Sequence, residues 1–471
     1  MTQATPPSTT RRQPGELPPG PRGLPLVGVL PEILRQGPLD FVTRMARDHG
    51  DIVFYRLGRE RIYMVNEPEL IKHVLNDPGR KYIKGFFFEK QKSTFGEGLL
   101  TSDGALWKRQ RRLVQPAFHH QRIAQMADVI CRTIVEMRED WEPLAQSGQT
   151  FDVVEKMMEV TQRIIVRTMF GTDLTVEREV VDAMPIILEY MLKLVISPVD
   201  LAWLPTPGRR RYERALRAID GVIYRLIQQR RQQPTEGHDV LSMLLAARDE
   251  DGQGMSDQQL RDELVTIFIA GHETTANSVA WLWYLLSLHP EAERRMHQEI
   301  DSVLQGRVPT LQDLPHLRYT QQVADEAMRL YAPIWALGRT LTEPDELGGY
   351  QLPAGAHVVV SPFVMHRHPR YWESPETFDP DRFLPERSST RPRYAYFPFG
   401  GGTRMCIANN LAQMEQLLLV TLIAQRFSLE LAPGARVEPE ALVTLRPRNG
   451  VPVRLRRRDP HVASPAVGVL R

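Results

Sequence analysis

The sequence predicts a single large domain that is mainly α-helical with a small β region, an α+β fold. Three observations support this prediction. Apolar residues recur at helical spacing over most of the chain, and alternating β patterns are confined to a few short stretches. No Gly- or Ser-rich linker and no shift of composition divides the interior of the 471 residues. One domain is therefore favoured over the several that the length alone would allow.

The β region is predicted from two stretches rich in β-branched and aromatic residues. IVFYRLGRERIYMV indicates a hairpin that turns near Gly58, and LGGYQLPAGAHVVVSP indicates small strands joined by glycine turns. Before them, Pro18–Gly28 predicts a stiff, polyproline-like lead-in along the domain surface, with a disordered leader as the alternative. The predicted boundaries are a flexible proline-rich tail over residues 1–23, a folded domain over 24–458 and a flexible tail over 459–471.

Composition and charge exclude several classes of protein. The net charge is only +2, which gives no electrostatic basis for binding nucleic acid. Neither end contains an apolar signal core or a run of about 20 apolar residues, so no membrane anchor is expected. The two cysteines, Cys131 and Cys406, are too few for a disulfide framework or an iron–sulfur cluster, and they point to the reducing cytoplasm. Cys131 lies beside an apolar helical stripe and is predicted to serve packing.

The longest predicted helix carries polar residues at its centre. Ser256 with Gln259 three residues later forms a capping-box start and Pro290 supplies the stop, which gives about 33 residues or roughly 50 Å of helix. Both halves are apolar on nearly every face, yet the middle reads Gly-His-Glu-Thr-Thr over 271–275. Burying a carboxylate and hydroxyls there costs several kcal/mol unless they are hydrogen-bonded. These residues therefore indicate a functional site with a local bulge of the helix; the alternative is that Glu273 pairs with another helix.

Two further features lie towards the C-terminus. Glu326 and Arg329 share one face of a predicted helix, which alone would indicate a surface ion pair, and Arg382 of FDPDRFLP is a possible third partner. The loop FPFGGGTRMC combines three glycines, an arginine and a thiol, and its spacing fits neither a dinucleotide fingerprint nor a phosphate-binding loop. The thiol of Cys406 is therefore the predicted functional group of this loop.

Taken together, these features resemble those of the cytochrome P450 family of haem-thiolate monooxygenases, from about Pro18 to Leu455. The matching positions are AGHETT over 270–275, EAMR over 326–329, PDRF over 380–383, FGGGTRMCIA over 399–408, and Trp107 and Arg111 of WKRQR. The sequence departs from the family at Ala408, where glycine is most common, and at Asp381, where many members have glutamate. Alanine at position 408 is still small, and Arg382 follows Asp381 as in the family. Both departures are therefore compatible with the resemblance.

The resemblance implies a cytochrome P450 fold in which the long central helix lies over a haem b (iron protoporphyrin IX), with Cys406 as the axial ligand of the iron. It also implies that Glu273 and Thr274 are catalytic residues that supply protons to dioxygen on the opposite side of the haem. The glycines and a helix predicted to begin at Ile407 would keep the sulfur ionised. The other implied cofactor-binding residues are Trp107, Arg111, Arg339 and Arg404 at the haem propionates, with Gly271 and Phe399 elsewhere on the cofactor. The implied structural triad behind the haem is Glu326, Arg329 and Arg382.

The implied reaction inserts one oxygen atom from O2 into a hydrophobic small molecule, by hydroxylation or epoxidation. No flavin or nicotinamide site is evident in the sequence, so a separate ferredoxin or flavodoxin with an NAD(P)H reductase is expected to deliver electrons. Lys108, Arg109 and Arg112 would offer an acidic partner a basic patch, or else form a solvated helix face. By resemblance the chain would be a bacterial, monomeric and cytoplasmic member of the family.

Two alternative functions remain open at this point. One is a haem-thiolate enzyme that does not activate dioxygen, such as a peroxygenase or an isomerase, although relatives of that kind commonly depart from the Glu273 and Thr274 pair. The other is a non-catalytic haem-binding module. NADPH-dependent substrate turnover with a surrogate redox system distinguishes the three functions.

Substrate identity is the property that the sequence determines least. The positions that correspond to the family's substrate pocket are apolar, which favours a fatty acid, terpenoid or polyketide, with core packing as the alternative for any one position. These positions are Phe86, Phe87, Phe88, Phe268, Ala270, Ile334, Trp335, Leu442 and Val443. The expected mobile access lid contains Ile187, Leu188, Met191 and Leu192.

Overall fold

The computed structural model of the chain describes residues 16–77, 81–171, 183–191, 206–233 and 239–458. Leu192 of the predicted lid, residues 1–15 and residues 459–471 lie outside the described residues. The helices are α1 (Leu30–Gln36), α2 (Pro38–His49), α3 (Pro68–Leu75), α4 (Phe86–Glu89), α5 (Lys92–Phe95), α6 (Gly104–Val114), α7 (His120–Asp140), α8 (Glu142–Ser147), α9 (Val153–Phe170), α10 (residues 183–191), α11 (Pro207–Gln232), α12 (Val240–Ala246), α13 (Asp257–Leu288), α14 (Pro290–Leu304), α15 (Arg318–Leu330), α16 (Pro362–Met365), α17 (Pro385–Ser388) and α18 (Asn409–Ala424). The strands are β1 (Ile52–Leu57), β2 (Glu60–Val65), β3 (Tyr82–Ile83), β4 (Phe151–Asp152), β5 (Leu337–Leu341), β6 (Asp345–Leu347), β7 (Tyr350–Leu352), β8 (His357–Val360), β9 (Phe427–Leu431), β10 (Glu438–Ala441), β11 (Leu445–Arg448) and β12 (Pro452–Arg457).

The described structure is mainly helical with small sheets, so the predicted fold class is confirmed. The largest sheet has the order β1-β2-β8-β5-β3, in which β2 and β8 run parallel. Its β1–β2 hairpin turns at Gly58, as predicted, with Leu57 opposite Glu60. The backbone N–H of Phe54 donates a hydrogen bond to the Pro19 carbonyl at 3.0 Å, which places the proline-rich lead-in along the outer strand.

Helix α13 begins and ends where the sequence predicts. Ser256 and Gln259 form both hydrogen bonds of a capping box, and the helix runs over 32 residues to Leu288. It contacts α9, α11, α15 and α18, and most of its side chains are buried. This helix therefore passes through the middle of the core and holds the polar residues at its centre.

The centre of α13 remains a regular α-helix, so the predicted bulge over 271–275 is not formed. The hydroxyl of Thr274 donates to the carbonyl of Ala270 at 2.7 Å, and that of Thr275 donates to the carbonyl of Gly271 at 3.0 Å. Such bonds to the carbonyl four residues earlier satisfy a buried hydroxyl without opening the helix. The two threonines are thus accommodated within the helix itself.

Most buried apolar side chains belong to one continuous core built around the long helices, and two smaller cores lie against the sheets. Cys131 belongs to the main core, and burial raises the pKa of its thiol to about 11, which agrees with a packing role. Ile187 and Met191, predicted for the access lid, are also buried in this core. Among the described residues, no helix is both long enough and apolar enough to cross a bilayer.

Helix α18 buries a carboxyl group. Glu415 is 5% exposed and its Oε1 has no hydrogen-bond partner, whereas the neighbouring Gln416 donates to the hydroxyl of Ser278 on α13 at 2.7 Å. Burial raises the pKa of Glu415 to about 8. The native protein therefore holds Glu415 mainly in its neutral form at pH 7.

We expect the contribution of Glu415 to stability to fall as the pH rises. Its native pKa of about 8 lies above the ordinary value of 4.5, so the contribution is complete below the ordinary value and is lost as the pH rises through the native one. Glu415→Gln replaces the carboxyl by a neutral group of the same shape and should remove this loss. Denaturant unfolding should show the variant gaining stability relative to wild type between about pH 5 and pH 8. A difference that does not change with pH would contradict the assignment.

Candidate active site

The glycines of the thiol loop shape its backbone. Gly400 and Gly402 have φ angles of 72° and 64°, in the left-handed region that favours glycine. A Cβ atom on Gly402 would lie 1.9 Å from the carbonyl oxygen of Leu75, so the loop packs directly on that backbone. The loop closes where the N–H of Cys406 donates to the carbonyl of Phe399 at 3.0 Å. The glycines therefore allow the chain to bend tightly before it presents the thiol.

The thiol of Cys406 is open to solvent on one side and surrounded by protein on the others. Burial raises its pKa, and the N–H of Ala408 and the guanidinium of Arg111 offset this effect only in part. Helix α18 begins at Asn409, two residues later than predicted. In the protein without a bound metal, desolvation of the thiol therefore outweighs the local positive charge, and the prediction that the glycines and the following helix keep the sulfur ionised is not supported by these groups alone. A metal ion bound to the sulfur would supply the missing charge.

Cationic side chains converge beside this loop. Arg111 of α6 donates to the carbonyl of Met405 at 3.1 Å. Arg404 lies 3.8 Å above the ring of Trp107 and forms an ion pair with Asp103. The helix that carries Trp107 and Arg111 is thereby fastened to the thiol loop. We name the cationic cluster by its four members, Lys84, Arg111, Arg339 and Arg404.

Arg339 and Lys84 are the most deeply buried members of the cationic cluster. Arg339 of β5 donates to the carbonyl of Gly338 at 2.8 Å, and Lys84 Nζ donates to the carbonyl of Leu99 at 2.6 Å. Burial lowers the pKa of Arg339 to about 10 and holds the pKa of Lys84 well below its ordinary value. Repulsion from Arg404 lowers the pKa of Lys84 further. Loss of water is the main cause of both shifts, so these two cations lie where the protein solvates their charge poorly.

The hydrogen-bond donors of the cationic cluster are suited to bind a ligand that carries carboxylate groups. The nearby acids are Asp103, already paired with Arg404, and Glu263, whose pKa burial raises to about 7. The cationic cluster therefore keeps an excess of positive charge, and guanidinium groups bind carboxylates through paired hydrogen bonds. The two propionates of a haem are such carboxylates. The chemistry of the cluster thus matches the cofactor that the thiol loop suggests.

The predicted triad is formed and fully buried, so it is not a surface ion pair. Glu326 accepts hydrogen bonds from Arg329 at 2.7 and 2.8 Å and from Arg382 at 3.3 Å. His366, which the sequence analysis missed, joins this triad to the thiol loop. Arg329 donates a hydrogen bond to the carbonyl of His366 at 2.8 Å, and the Nε2 atom of His366 accepts one from the N–H of Phe397 at 2.9 Å. Burial lowers the pKa of His366 to about 3, which keeps the ring neutral and able to accept.

One face of α13 is open at the helix centre. Ala270 is exposed and Thr274, one turn later, is half-buried. The helix is otherwise buried along most of its length. An accessible face in the middle of a core helix marks a cleft beside it. The hydroxyl of Thr274 is thus placed at a surface that a ligand can reach.

Glu273 is held away from this face. Its Oε1 accepts the hydroxyl of Thr444 at 2.9 Å, and that hydroxyl accepts from Asn277 Nδ2 at 3.1 Å. Burial raises the pKa of Glu273, and the bond from Thr444 offsets part of the rise. The sequence analysis missed Thr444, because no local pattern links a residue after β10 to the centre of α13. The carboxyl group must rotate to reach the side of Thr274.

Two residues of α13 that were predicted for the site serve packing. Phe268 lies two positions before Ala270 and so about 200° around the helix. It is 2% exposed and stacks on the His272 ring with centroids 5.8 Å apart, so it packs in the core and not in a pocket. A Cβ atom on Gly271 would lie 2.9 Å from Ile165 Cδ1 of α9. Glycine at this position therefore permits close packing of α13 on α9, and the role of Gly271 at a cofactor stays a prediction.

Two other residues predicted for the substrate pocket, Trp335 and Leu442, lie in separate loops and are in contact. The Trp335 indole N–H donates to the Leu442 carbonyl at 3.0 Å. Their chain neighbours Ile334 and Val443 are half-buried, as are Trp335 and Leu442. This contact brings the segment after α15 against the turn between β10 and β11, and the four residues named are all apolar.

The three phenylalanines of the predicted pocket do not share one surface. Phe86 stacks on the His357 ring of β8 with centroids 4.8 Å apart, and Phe87 contacts the same ring edge-on at 5.7 Å. Phe88 lies with its ring 5.7 Å from Lys84 Nζ. Phe88 is therefore the one that faces the cationic cluster, and the first two pack on the sheet; a common pocket lined by all three stays a prediction.

The predicted basic patch on α6 is largely neutralised within the chain. Arg109 forms an ion pair with Asp249 at 2.6 Å, and Arg112 pairs with Glu250. Both acids lie in the loop before α13, and Lys108 is half-buried. A partner at this face therefore meets less positive charge than the three side chains alone would give.

Comparison with known proteins agrees with this geometry. Residues 18–451 match the Cytochrome P450 family. The chain is 40% identical to cyclooctatin synthase of Streptomyces melanosporofaciens, over 90% of this chain and 92% of that protein. It is 34% identical to pentalenene oxygenase of Streptomyces avermitilis, over 93% and 97% of the two chains. The crystal structure of the cytochrome P450DA heme domain superposes with a TM-score of 0.85 at 26% identity and covers 94% of this chain and 98% of that one.

A thiol loop, a buried Glu–Arg–Arg triad behind it and a long central helix with an open polar face define a haem-thiolate protein, and the chain belongs to the cytochrome P450 family. It is a monooxygenase that inserts one oxygen atom from O2 into a hydrophobic small molecule. The predicted family and enzyme class are therefore confirmed.

Proposed function

We propose that the protein binds haem b, with Cys406 as the axial ligand and the cationic cluster at the propionates. The observation that carries this proposal is the meeting of an accessible thiol and an excess of buried positive charge at one loop. Trp107 supports Arg404 from one side, and Phe399 fixes the loop through its carbonyl. When bound, a thiolate-ligated haem supplies the oxidising chemistry by which an atom of O2 enters a C–H or C=C bond.

Replacing Arg339 by methionine is expected to have opposite effects on the haem-free and haem-bound proteins. Without haem, the variant should melt at a higher temperature, because a buried cation without an anionic partner opposes folding. Its affinity for haem should fall about tenfold or more, because a charge-assisted hydrogen bond to a propionate is lost. Calorimetric melting and haem transfer to apomyoglobin measure the two effects.

Arg138 of α7 provides the matched control for this variant. It is also a buried arginine with a pKa lowered by burial, but it bonds to the Leu422 carbonyl in the core. Arg138→Met should change stability and leave haem affinity unchanged. Equal haem affinity of Arg339→Met and wild type would remove Arg339 from the propionate site.

We further propose that Thr274 and Glu273 are the catalytic residues that handle protons. Thr274 supports this role because its hydroxyl lies on the accessible face of α13. Glu273 supports it because burial raises the pKa of its carboxyl group, so this group holds a proton more readily than an exposed glutamate does. In this mechanism Glu273 leaves Thr444, rotates towards Thr274 and restores the proton that the hydroxyl has given up.

The substrate that we propose is a terpenoid hydrocarbon or alcohol. Support comes from the names of the relatives: besides the two above, the chain is 38% identical over 88% of its length to cyclooctat-9-en-7-ol 5-monooxygenase of Streptomyces melanosporofaciens. The apolar surface formed by Ile334, Trp335, Leu442 and Val443 suits a substrate without charge.

Titration of the purified holoenzyme tests the substrate class. Cyclooctat-9-en-7-ol and pentalenene should each shift the haem absorption band, and a fatty acid of similar carbon number should shift it less at the same concentration. A larger shift with the fatty acid would contradict the terpenoid assignment.

For electron delivery we propose a separate ferredoxin or flavodoxin with an NAD(P)H reductase. Arg109 and Arg112 form ion pairs within the chain. Of the three residues of the predicted basic patch, Lys108 is therefore the one that we propose to contact an acidic partner. We also propose a monomer whose catalytic domain spans residues 24–458, in a reducing compartment such as the cytoplasm. Both cysteines being free supports the compartment.

A further inference from the structure

A short turn on the outer edge of the largest sheet displays apolar side chains to solvent. Leu24, Leu26 and Val27 are 61%, 85% and 39% exposed. The turn is tightly closed, because the N–H groups of Leu24 and Gly28 donate to each other's carbonyls at 3.0 and 2.9 Å. Leu26 has a φ of 67°, a strained conformation for a leucine. The sequence thus places a large apolar residue where a turn would ordinarily carry glycine or asparagine.

The turn is held rigidly on the domain. The N–H of Val29 donates to the Arg56 carbonyl at 2.8 Å, and the N–H of Gly58 donates to the Val27 carbonyl at 3.1 Å. These bonds fasten the C-terminal side of the turn to the β1–β2 hairpin. Two more exposed leucines, Leu17 at 50% and Leu34 at 71%, lie on the flanking segments. We call the five exposed side chains the apolar knob: Leu17, Leu24, Leu26, Val27 and Leu34.

Arginines surround the apolar knob. A surface groove lined by Arg22, Leu24, Pro31 and Arg35 connects the turn to α1. On the hairpin, Arg56 and Arg61 are directly opposite each other across the two strands, and both are exposed. Like charges in that arrangement repel each other.

The positive charge of this surface is not balanced within the described part of the chain. Of the acids on α1 and the hairpin, Glu32 pairs with Arg44 and Glu60 with His357, and a third acid, Glu16, directly precedes Leu17. No ion pair is found among the described residues for any of five exposed arginines, which are Arg22, Arg35, Arg56, Arg59 and Arg61. An anionic partner would relieve the repulsion within this group.

We propose that the apolar knob and these five arginines dock the protein reversibly on the surface of an anionic lipid bilayer. Exposed leucines on a rigid turn can enter the headgroup region, where apolar side chains leave water. The arginines lie on the segments that flank the turn and on the β1–β2 hairpin beside it, where they can meet lipid phosphates. A nucleic acid would satisfy the arginines but would leave the leucines in water. The combination of the two features therefore favours a lipid surface.

The test is co-sedimentation of the holoenzyme with vesicles. Vesicles of phosphatidylglycerol and phosphatidylcholine should bind the protein at low salt, and vesicles of phosphatidylcholine alone should bind it much more weakly. Leu24→Asn/Leu26→Asn should weaken binding about tenfold or more, since each buried leucine contributes. Asparagine tolerates the left-handed conformation of Leu26, so the fold should be kept. Arg56→Gln/Arg61→Gln should weaken binding about 25-fold, or about fivefold for each arginine.

Two variants elsewhere on the surface serve as matched controls. Leu288→Asn/Val308→Asn changes two apolar residues that are 48% and 44% exposed, and Arg122→Gln/Arg132→Gln removes two exposed arginines of α7. Both should bind vesicles as wild type does.

Three results would overturn the proposal. The first is no binding of wild type to anionic vesicles, and the second is an equal loss of binding in the control variants. The third is concentration-dependent self-association that Leu24→Asn/Leu26→Asn abolishes in the absence of vesicle binding, because the knob would then be covered by a second copy of the chain. None of these measurements depends on the substrate or on catalysis.

Discussion

Replacing Cys406 by histidine is expected to move the absorption band of the reduced, carbon monoxide-saturated holoenzyme to the position typical of imidazole ligation. The reason is that the axial ligand atom changes from sulfur to nitrogen, and a thiolate donates much more electron density to the iron. The structure supports this ligand because Cys406 presents an accessible thiol at the tightly bent glycine loop. Substrate oxidation should fall below detection in the same variant.

Cys131→Ser is the matched control for the ligand test. Cys131 is buried in the main core, 3.8 Å from the Pro309 carbonyl, and its pKa is raised to about 11. The variant should keep the thiolate band and its activity. A thiolate band retained in Cys406→His, or lost in Cys131→Ser, would show that the ligand has been assigned to the wrong cysteine.

Thr274→Ala is expected to divert reducing equivalents from product to hydrogen peroxide. Its hydroxyl lies at the open face of α13 and is the polar group there that can hold a proton for oxygen reduction. General acid catalysis contributes about a hundredfold or more to such steps, so product formed per NADPH should fall about tenfold or more. Substrate-induced spectral shifts should stay near normal. The measurement is peroxide and product per NADPH consumed, with melting temperature and haem content recorded in parallel.

Thr275→Ala distinguishes proton handling from helix stability. Thr275 makes the same kind of backbone hydrogen bond at 3.0 Å but is only 5% exposed. It should leave the yield of product per NADPH unchanged. Glu273→Gln should instead slow the consumption of both O2 and NADPH. A fully coupled Thr274→Ala enzyme, or equal losses of haem and stability in both threonine variants, would remove Thr274 from the mechanism.

The parts of the fold that the sequence predicted well depend on local patterns. The capping box at Ser256 and Gln259, the hairpin turn at Gly58 and the long apolar helix each follow from residues close in the chain. The Glu326–Arg329 pair could be placed on one helix face for the same reason. Its burial followed only from the family resemblance.

The contacts that were missed join distant segments. His366 bonds to the thiol loop 31 residues away, and Thr444 bonds to Glu273 across 171 residues. Periodicity gives no information on such pairs. The same limit explains why Phe268 was predicted for a pocket, since the pattern shows that it is apolar but not which neighbour covers it. It also explains Arg109, whose partner Asp249 lies 140 residues further along the chain.

The most direct test of the account is the fate of isotopically heavy O2 during turnover of a terpenoid alcohol with NADPH and a surrogate ferredoxin system. A monooxygenase that uses Thr274 and Glu273 should place one heavy oxygen atom in the product, with the other released as water. Product yield per NADPH should be high in wild type and low in Thr274→Ala. A product without heavy oxygen, formed equally well with added peroxide or without any reductant, would contradict oxygen activation by this protein.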